Sequence, residues 1–258
     1  MNTAAASTST PSRDALARFV LEGAAVRGAV VSLDATLRDM LGGHPYPPAL
    51  VRALAEFAAA AALLASTLKF KGSLVVQLAS EGPVRLAVVE CDASLGLRAT
   101  AQWRDEAGAL PADATLAVLV GDLARARLAI TLDPKDGGPI YQGVVAIGGG
   151  SIAGLIEHYL ATSEQIDSRM LLVAGDDGVR GLLVQRLPGA LEHLFDKVNQ
   201  AVAGGFGPHQ AATEAGALAG KDAGRAVGEP FHHAGHVADF ARADTDVTRR
   251  HVGVGTEV

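Results

Sequence analysis

A glycine-rich turn holds the residues with the clearest chemical potential in this chain. Gly148, Gly150 and Ala153 follow an apolar stretch and open an amphipathic one, as in the fingerprint of dinucleotide-binding proteins. Glycines at this spacing let backbone N–H groups approach a pyrophosphate at a helix N-terminus, and Asp167 lies where a ribose-binding acid is expected. The preceding strand is predicted to belong to a hairpin, however, which favours a simple turn with Ser151 near the helix N-cap.

Two further patterns could support catalysis or metal binding, but each lacks a necessary part. The same turn resembles a nucleophile elbow around Ser151, although Ala153 replaces its second glycine and nothing places a histidine beside it. His232, His233 and His236 have the spacing of metal ligands. Alanine and glycine surround these histidines, which favours weak, adventitious metal binding over a functional site.

Cys91 is the only cysteine among the 258 residues, which excludes an intramolecular disulfide and any zinc site built from several cysteines. It ends a predicted strand beside Asp92, and no basic residue or histidine is its neighbour in sequence. A small apolar packing residue is the simpler interpretation. The sequence therefore assigns no catalytic, cofactor-binding or metal-binding residues, and a chain this poor in cysteine is expected in the cytoplasm.

The composition predicts a folded protein without a general nucleic-acid surface. Apolar residues make up 49% of the chain, which is ample for a core, and the formal net charge is −6. The most apolar run, residues 57–65, is shorter than the ~18 residues that a membrane span needs. Residues 1–14 are rich in Ser, Thr and Ala and lack the apolar stretch of a secretory signal, so we expect a disordered lead-in there.

Hydrophobic periodicity predicts an α+β fold in which a sheet of antiparallel hairpins packs with helices. The strongest element is a helix that follows Pro47 and Pro48, and we expect it to be central. Its apolar residues recur three and four positions apart: Leu50, Leu54, Phe57, Ala61, Leu64 and Leu68. Strands are predicted over 18–21, 26–33, 73–78, 84–89, 95–102, 127–132, 141–147, 169–174 and 179–187, and further helices over 34–41, 114–120 and 151–162.

The chain changes character at Pro188. The residues before it have clear strand and helix periods, whereas residues 189–258 are mostly Ala, Gly, Asp and Arg and hold six of the eight histidines. This change predicts three segments: a disordered lead-in over 1–15, a folded domain over 16–188, and a poorly structured tail over 189–258.

Several ordered motifs in the folded part suggest a family. They occupy residues 18–22 with 26–28, 43–47, 63–72, 75–78 with 82–84, 141–145, and 163–169. In this order and spacing they resemble the redox-regulated thirty-three-kilodalton chaperonins, the heat-shock protein 33 family. The resemblance covers residues 18 to 187, and residues 191–195 could begin the linker helix found in that family. No resemblance is visible beyond about Gln200.

The resemblance implies an ATP-independent chaperone, a holdase, that binds unfolded client proteins during oxidative stress through an α+β domain that can dimerise. It also implies a zinc domain with four cysteines in a Cys-x-Cys and a Cys-x-x-Cys pair, whose oxidation releases the metal and activates the chaperone. No cysteine follows Cys91 in this sequence, so neither zinc nor the redox switch is carried over. The client-binding residues are not assigned.

Two hypotheses explain the tail: a shifted reading frame, or a lineage-specific segment that replaced the switch. Sequencing the locus and weighing the intact protein would distinguish them. Without the zinc domain, we expect client binding that does not depend on oxidation, or a homodimer that buries the exposed apolar surface. The alternative function is a nucleotide-binding enzyme that uses the loop from Gly148 to Ala153.

Overall fold

The computed structural model describes residues 14–21, 25–68, 71–104, 110–148 and 150–189, together with Asp196 and Gln200. Within these residues, nine strands form two antiparallel sheets and four α-helices accompany them. The predicted α+β class and the predicted hairpins are therefore confirmed. The predicted tail over 189–258 lies almost entirely outside the described residues.

The strand and helix bounds follow the predicted periodicity closely. The strands are β1 (Ala15–Leu21), β2 (Val26–Leu33), β3 (Gly72–Ala79), β4 (Val84–Asp92), β5 (Leu97–Trp103), β6 (Arg127–Pro134), β7 (Tyr141–Ala146), β8 (Ser168–Gly175) and β9 (Gly178–Arg186). The helices are α1 (Ala35–Leu41), α2 (Pro48–Thr67), α3 (Leu116–Val120) and α4 (Ile152–Thr162).

Two long-range strand pairings assemble the hairpins into sheets. The four-stranded sheet has the order β1-β2-β9-β8, and the five-stranded sheet has the order β5-β4-β3-β6-β7. The first sheet depends on the antiparallel pairing of β2 with β9, and the second on the antiparallel pairing of β3 with β6. Strands from both ends of the domain are therefore needed to complete the four-stranded sheet.

Helix α2 lies between the two sheets and contacts strands of both. Pro48 occupies its first turn, where a proline costs no hydrogen bond. Five consecutive alanines, from Ala58 to Ala62, are almost completely buried. Their small side chains let both sheets approach the helix closely, so the predicted central position is confirmed. The predicted apolar stripe extends one residue too far, because Leu68 is extended and exposed.

By length and composition alone, the whole of α2 is long and apolar enough to cross a membrane. The sequence prediction considered only residues 57–65, which are too few for a membrane span. Its most apolar window has a mean hydropathy of 1.6, and 78% of that window is buried within the fold. A core helix that packs against two sheets passes the same test as a membrane span. The burial of α2 accounts for its composition.

Asp14 caps helix α1 from a distant part of the chain. Its Oδ1 accepts a hydrogen bond from the Asp34 N–H at 2.5 Å, and its Oδ2 accepts from the Thr36 N–H at 2.8 Å and the Thr36 hydroxyl at 2.6 Å. Asp34, at the N-cap position itself, makes no side-chain cap bond. Asp14 and Ala15 were assigned to the lead-in, but the first makes this cap and the second begins β1. Residues 1–13 lie outside the described residues.

Replacing Asp14 tests the distant cap. We expect Asp14→Ala to lower the free energy of unfolding by about 1 kcal/mol, because two N–H groups at the start of α1 lose their acceptor. The measurement is urea denaturation followed by circular dichroism. Asp39→Ala removes an exposed carboxylate from the same helix and should change stability by less than about 0.5 kcal/mol. Equal effects of the two substitutions would contradict the cap.

Enlarging a buried alanine of α2 tests the close approach of the sheets. We expect Ala60→Leu to destabilise the fold by about 1–3 kcal/mol, because the added carbon atoms have no space. Ala161→Leu makes the same change at an exposed position of α4 and should leave the urea midpoint nearly unchanged. A tolerated Ala60→Leu substitution would show that the layers can separate without cost.

Candidate functional site

The glycine-rich turn forms a helix cap rather than a dinucleotide-binding loop. Gly150 has a φ of +89°, and the Ser151 hydroxyl accepts a hydrogen bond from the Gly154 N–H at 3.1 Å. The strand before the turn, β7, is antiparallel to β6, and the strand after α4 belongs to the other sheet. The parallel β-α-β unit that the fingerprint requires is thus missing from this part of the fold. The turn-and-cap interpretation is confirmed.

The other predicted partners of this turn are occupied elsewhere. Asp167 lies 3.5 Å from the Arg169 guanidinium and 3.9 Å from that of Arg186, which makes it part of a charged cluster. No hydrogen bond joins Ser151 to His44 or His158, the two histidines within the described ranges. The sequence pattern of a nucleophile elbow therefore has no triad in this region.

The predicted histidine cluster cannot be placed in the fold. His232, His233 and His236 lie outside the described residues, as do residues 191–195 of the predicted linker helix. Metal binding by these histidines stays a prediction of the sequence. Within the residues that the structure describes, no group of three or more His, Cys, Asp or Glu side chains could hold a metal ion.

Cys91 is completely buried in the core. It lies on β4 between Leu74 of β3 and Leu97 of β5, with its Sγ 3.7 Å from the Asp92 carbonyl oxygen. Burial is the main cause that raises the pKa of the thiol to about 12, and the nearby carboxylates of Asp92 and Glu90 contribute to this shift. The thiol is therefore protonated at neutral pH, and zinc binds thiolates. One buried thiol does not fit the zinc site that the family resemblance implies.

A groove of about 330 Å³ lies where α2 meets the start of α4. Arg52 and Glu56 of α2 line it together with Thr115, Leu119 and Ser151. Burial raises the pKa of the Glu56 carboxyl, and the nearby Arg52 partly offsets this effect. The described residues that line this groove include one carboxylate, Glu56, and neither histidine nor cysteine. They therefore do not form an acid–base pair for general acid–base catalysis.

The four-stranded sheet carries apolar residues on both of its faces. Ala29, Val31 and Leu183 belong to the core around α2, and because side chains alternate along a strand, their neighbours point to the opposite side. We call this opposite side the outer face. Its larger apolar members are Phe19, Val26, Val30, Leu171, Val173, Leu182 and Val184, and three arginines, Arg169, Arg180 and Arg186, lie on the same face.

The outer face combines a buried centre with an exposed margin. Leu182 and Val184 are fully buried although neither belongs to the core around α2, whereas Val173 at the sheet edge is 48% exposed. The corresponding side of the five-stranded sheet mixes apolar residues, including Val75 and Val88, with Gln77 and the ion pair between Arg98 and Glu90. Both sheets therefore carry apolar and charged residues on the sides that face away from α2.

Comparison with models of known protein families identifies the family of this chain. The family model described as Hsp33 protein matches residues 14–216. The chain belongs to the Hsp33 family. The match confirms the resemblance derived from the ordered motifs, and it extends past Gln200, beyond which no resemblance was visible in the sequence.

Relatives and a solved structure agree with this placement. A 33 kDa chaperonin from Methylobacillus flagellatus is 44% identical over 176 residues, which cover 68% of this chain and 58% of the relative. The Sodalis glossinidius 33 kDa chaperonin is 42% identical over 188 residues, covering 71% of this chain and 62% of the relative. The chain thus spans about three-fifths of these relatives.

The structural comparison supports the shared Hsp33 fold. The crystal structure of the 33 kDa chaperonin from Thermotoga maritima aligns with a TM-score of 0.66 and 17% identity, over 84% of this chain and 79% of that one. At this level of identity the likeness shows the fold alone.

The outer face was not predicted, although the sequence contains a signal for it. A strand buried on both faces has a nearly continuous apolar run instead of alternation. Residues 182–184 and 170–174 are such runs, and both lie in the four-stranded sheet. These runs were used to predict strands. Their continuity also indicates that the strands are buried on both faces, and no prediction was made from it.

The burial of Cys91 predicts that its thiol does not react in the native protein. At about pH 8 we expect a disulfide reagent to modify it only after the protein is unfolded in guanidinium chloride, because the native thiol is neutral and inaccessible. Counting reacted thiols by absorbance measures this. Ser94→Cys adds an exposed thiol nearby and should react at once. Rapid native reaction without that added thiol would contradict the burial.

Proposed function

We propose that this Hsp33-family protein is an ATP-independent holdase that binds unfolded client proteins without control by a cysteine–zinc switch. Its partners are unfolded or partly unfolded proteins, with a homodimer as a further form, rather than nucleic acids or membranes. We place this activity in the cytoplasm, as part of a stress response.

The apolar outer face is the observation that carries the client-binding part of the proposal. Unfolded chains expose apolar side chains, and burying these against a complementary apolar surface is favourable without any nucleotide. The accessible part of the outer face is its margin, where Phe19 of β1 and Leu171 and Val173 of β8 are partly or largely exposed. Contacts of this kind depend little on sequence, which suits a protein that must hold many different clients.

The single buried thiol supports the second part of the proposal. A switch that forms disulfides needs at least two thiols that an oxidant can reach, and at least one must ionise readily. The printed sequence has one cysteine, and burial keeps that thiol protonated. We infer that peroxide leaves client binding by this chain unchanged, and that zinc is not its cofactor.

An aggregation assay tests both parts of the proposal. We expect the wild-type chain to suppress the light scattering of a heat-unfolded client to the same extent when reduced and when treated with peroxide, without ATP. Cys91→Ala should behave like the wild type under both conditions. Failure to protect any client would contradict the holdase activity, whereas protection only after oxidation would contradict the absence of a switch.

A pair of lysine variants locates the surface in the same assay. Val173→Lys places a charge at the margin of the outer face and should weaken protection, because burying the charge against a client is costly. Val118→Lys makes the same change at a valine of α3 that is 45% exposed and should leave protection unchanged. Equal protection by both variants would exclude the Val173 margin as a binding surface.

A further inference from the structure

The five-stranded sheet ends at a strand that lacks the usual protection of a sheet edge. Sheet edges attract other extended chains, and proteins commonly block them with charged residues or proline. Three of the four edge strands in the described sheets carry an arginine: Arg18 in β1, Arg98 in β5 and Arg169 in β8. The fourth, β7, has the sequence Tyr-Gln-Gly-Val-Val-Ala and contains neither a charge nor a proline.

The backbone of β7 presents hydrogen-bonding groups away from the sheet. The Ile147 N–H donates to the Ala126 carbonyl oxygen at 3.4 Å, which fixes the alternation of the antiparallel ladder between β6 and β7. By that alternation, the N–H and C=O groups of Gln142, Val144 and Ala146 point away from β6. No backbone hydrogen bond to another described residue occupies these outward groups.

Apolar side chains flank these backbone groups on both faces of the strand. Ile140 is 63% exposed, Tyr141 is 44% exposed and Val144 is 55% exposed. Val144 lies on the side opposite Val145, whose side chain is buried in the core, and Tyr141 lies on the core side, near Tyr159 of α4. An additional strand placed beside β7 would therefore find apolar neighbours above and below it.

We propose that β7 captures extended apolar segments of unfolded clients by strand addition. The proposal deepens and rests on the proposed holdase function, because it names a second way in which clients are held. The added segment pairs its backbone with Gln142, Val144 and Ala146 and packs its side chains beside Tyr141 and Val144. Main-chain hydrogen bonds are formed by any sequence except at proline, which fits a chaperone with varied clients.

The size of the edge favours a client segment over a second copy of this chain. A stable protein interface uses ~20–30 residues on each side. The six residues of β7 provide far fewer, with three of them directed outward. A contact this small is weak and short-lived, as the release of a client requires.

A matched pair of peptides tests the backbone contribution directly. We expect an uncharged eight-residue Val- and Thr-rich peptide to slow hydrogen exchange at the Gln142 and Val144 amides of the full chain, as followed by NMR. The same peptide methylated at alternate backbone nitrogens keeps its side chains but cannot pair with an edge, and should bind at least about tenfold more weakly. Equal binding of the two peptides, or unchanged exchange at β7, would overturn the proposal.

Variants of Val144 test the same contact from the protein side. Val144→Pro removes an outward N–H and leaves the bonds to β6 in place, so the fold should persist while peptide affinity falls about tenfold. Val144→Lys adds an edge charge and should act in the same direction, which keeps the test valid if the proline variant does not fold. Val118→Lys, at a similarly exposed valine on α3, should bind like the wild type.

The outcomes separate this inference from the holdase activity. If the Val144 variants protect a heat-unfolded client and bind the peptide as well as the wild type does, strand addition is wrong and the holdase activity stands. If the wild type protects no client, the holdase activity fails, and the peptide pair still decides whether β7 adds a strand. If Val144→Lys instead dissociates a dimer in sedimentation experiments and the peptide does not bind, the occupant is a second copy and the proposal is wrong.

Discussion

The burial of α2 between two sheets is the constraint on which the rest of the fold depends. A helix packed on both sides must be apolar around its circumference, and one that two sheets approach closely must also be narrow. The alanines from Ala58 to Ala62 meet both requirements. Because α2 occupies the inner face of each sheet, the outer faces are left for other contacts. These outer sides mix apolar and charged residues in both sheets, and the four-stranded sheet exposes an apolar margin at Val173.

This arrangement links the architecture to the proposed activity. In this fold, exposed apolar side chains occur in two places: at the margin of one sheet face, and along one sheet edge. In the proposed activity, the outer face would bind side chains through burial, and β7 would add main-chain hydrogen bonds that hold a segment in an extended form. Together they would hold an unfolded chain without selecting its sequence. Both surfaces are built on strands, so neither depends on a mobile loop for its shape.

Local elements could be predicted from the sequence, but their assembly could not. The short valine-rich run located β2 at its observed bounds, and Pro48 with the apolar stripe located α2, because these signals lie within a few consecutive residues. The pairing of β2 with β9 joins residues about 150 positions apart, and no local pattern encodes it. The same limit applies to the cap formed by Asp14 twenty positions before Asp34. The face of a strand becomes meaningful only once its neighbours are known, which is why the outer face was missed.

Cys91 shows how burial decides the chemistry of a residue that sequence alone leaves open. A lone cysteine is compatible with a reactive thiol or with a small core residue, and its neighbours in sequence favoured the second. Its position between Leu74 and Leu97 removes it from oxidants and raises its pKa, so both requirements for redox sensing fail together. If no thiol controls client binding, the amount of bound client depends only on the concentration of unfolded client and on the affinity of the surface. A weak binding surface would hold clients only while they remain unfolded, since a refolding client buries the apolar segments that the margin of the outer face and β7 would bind.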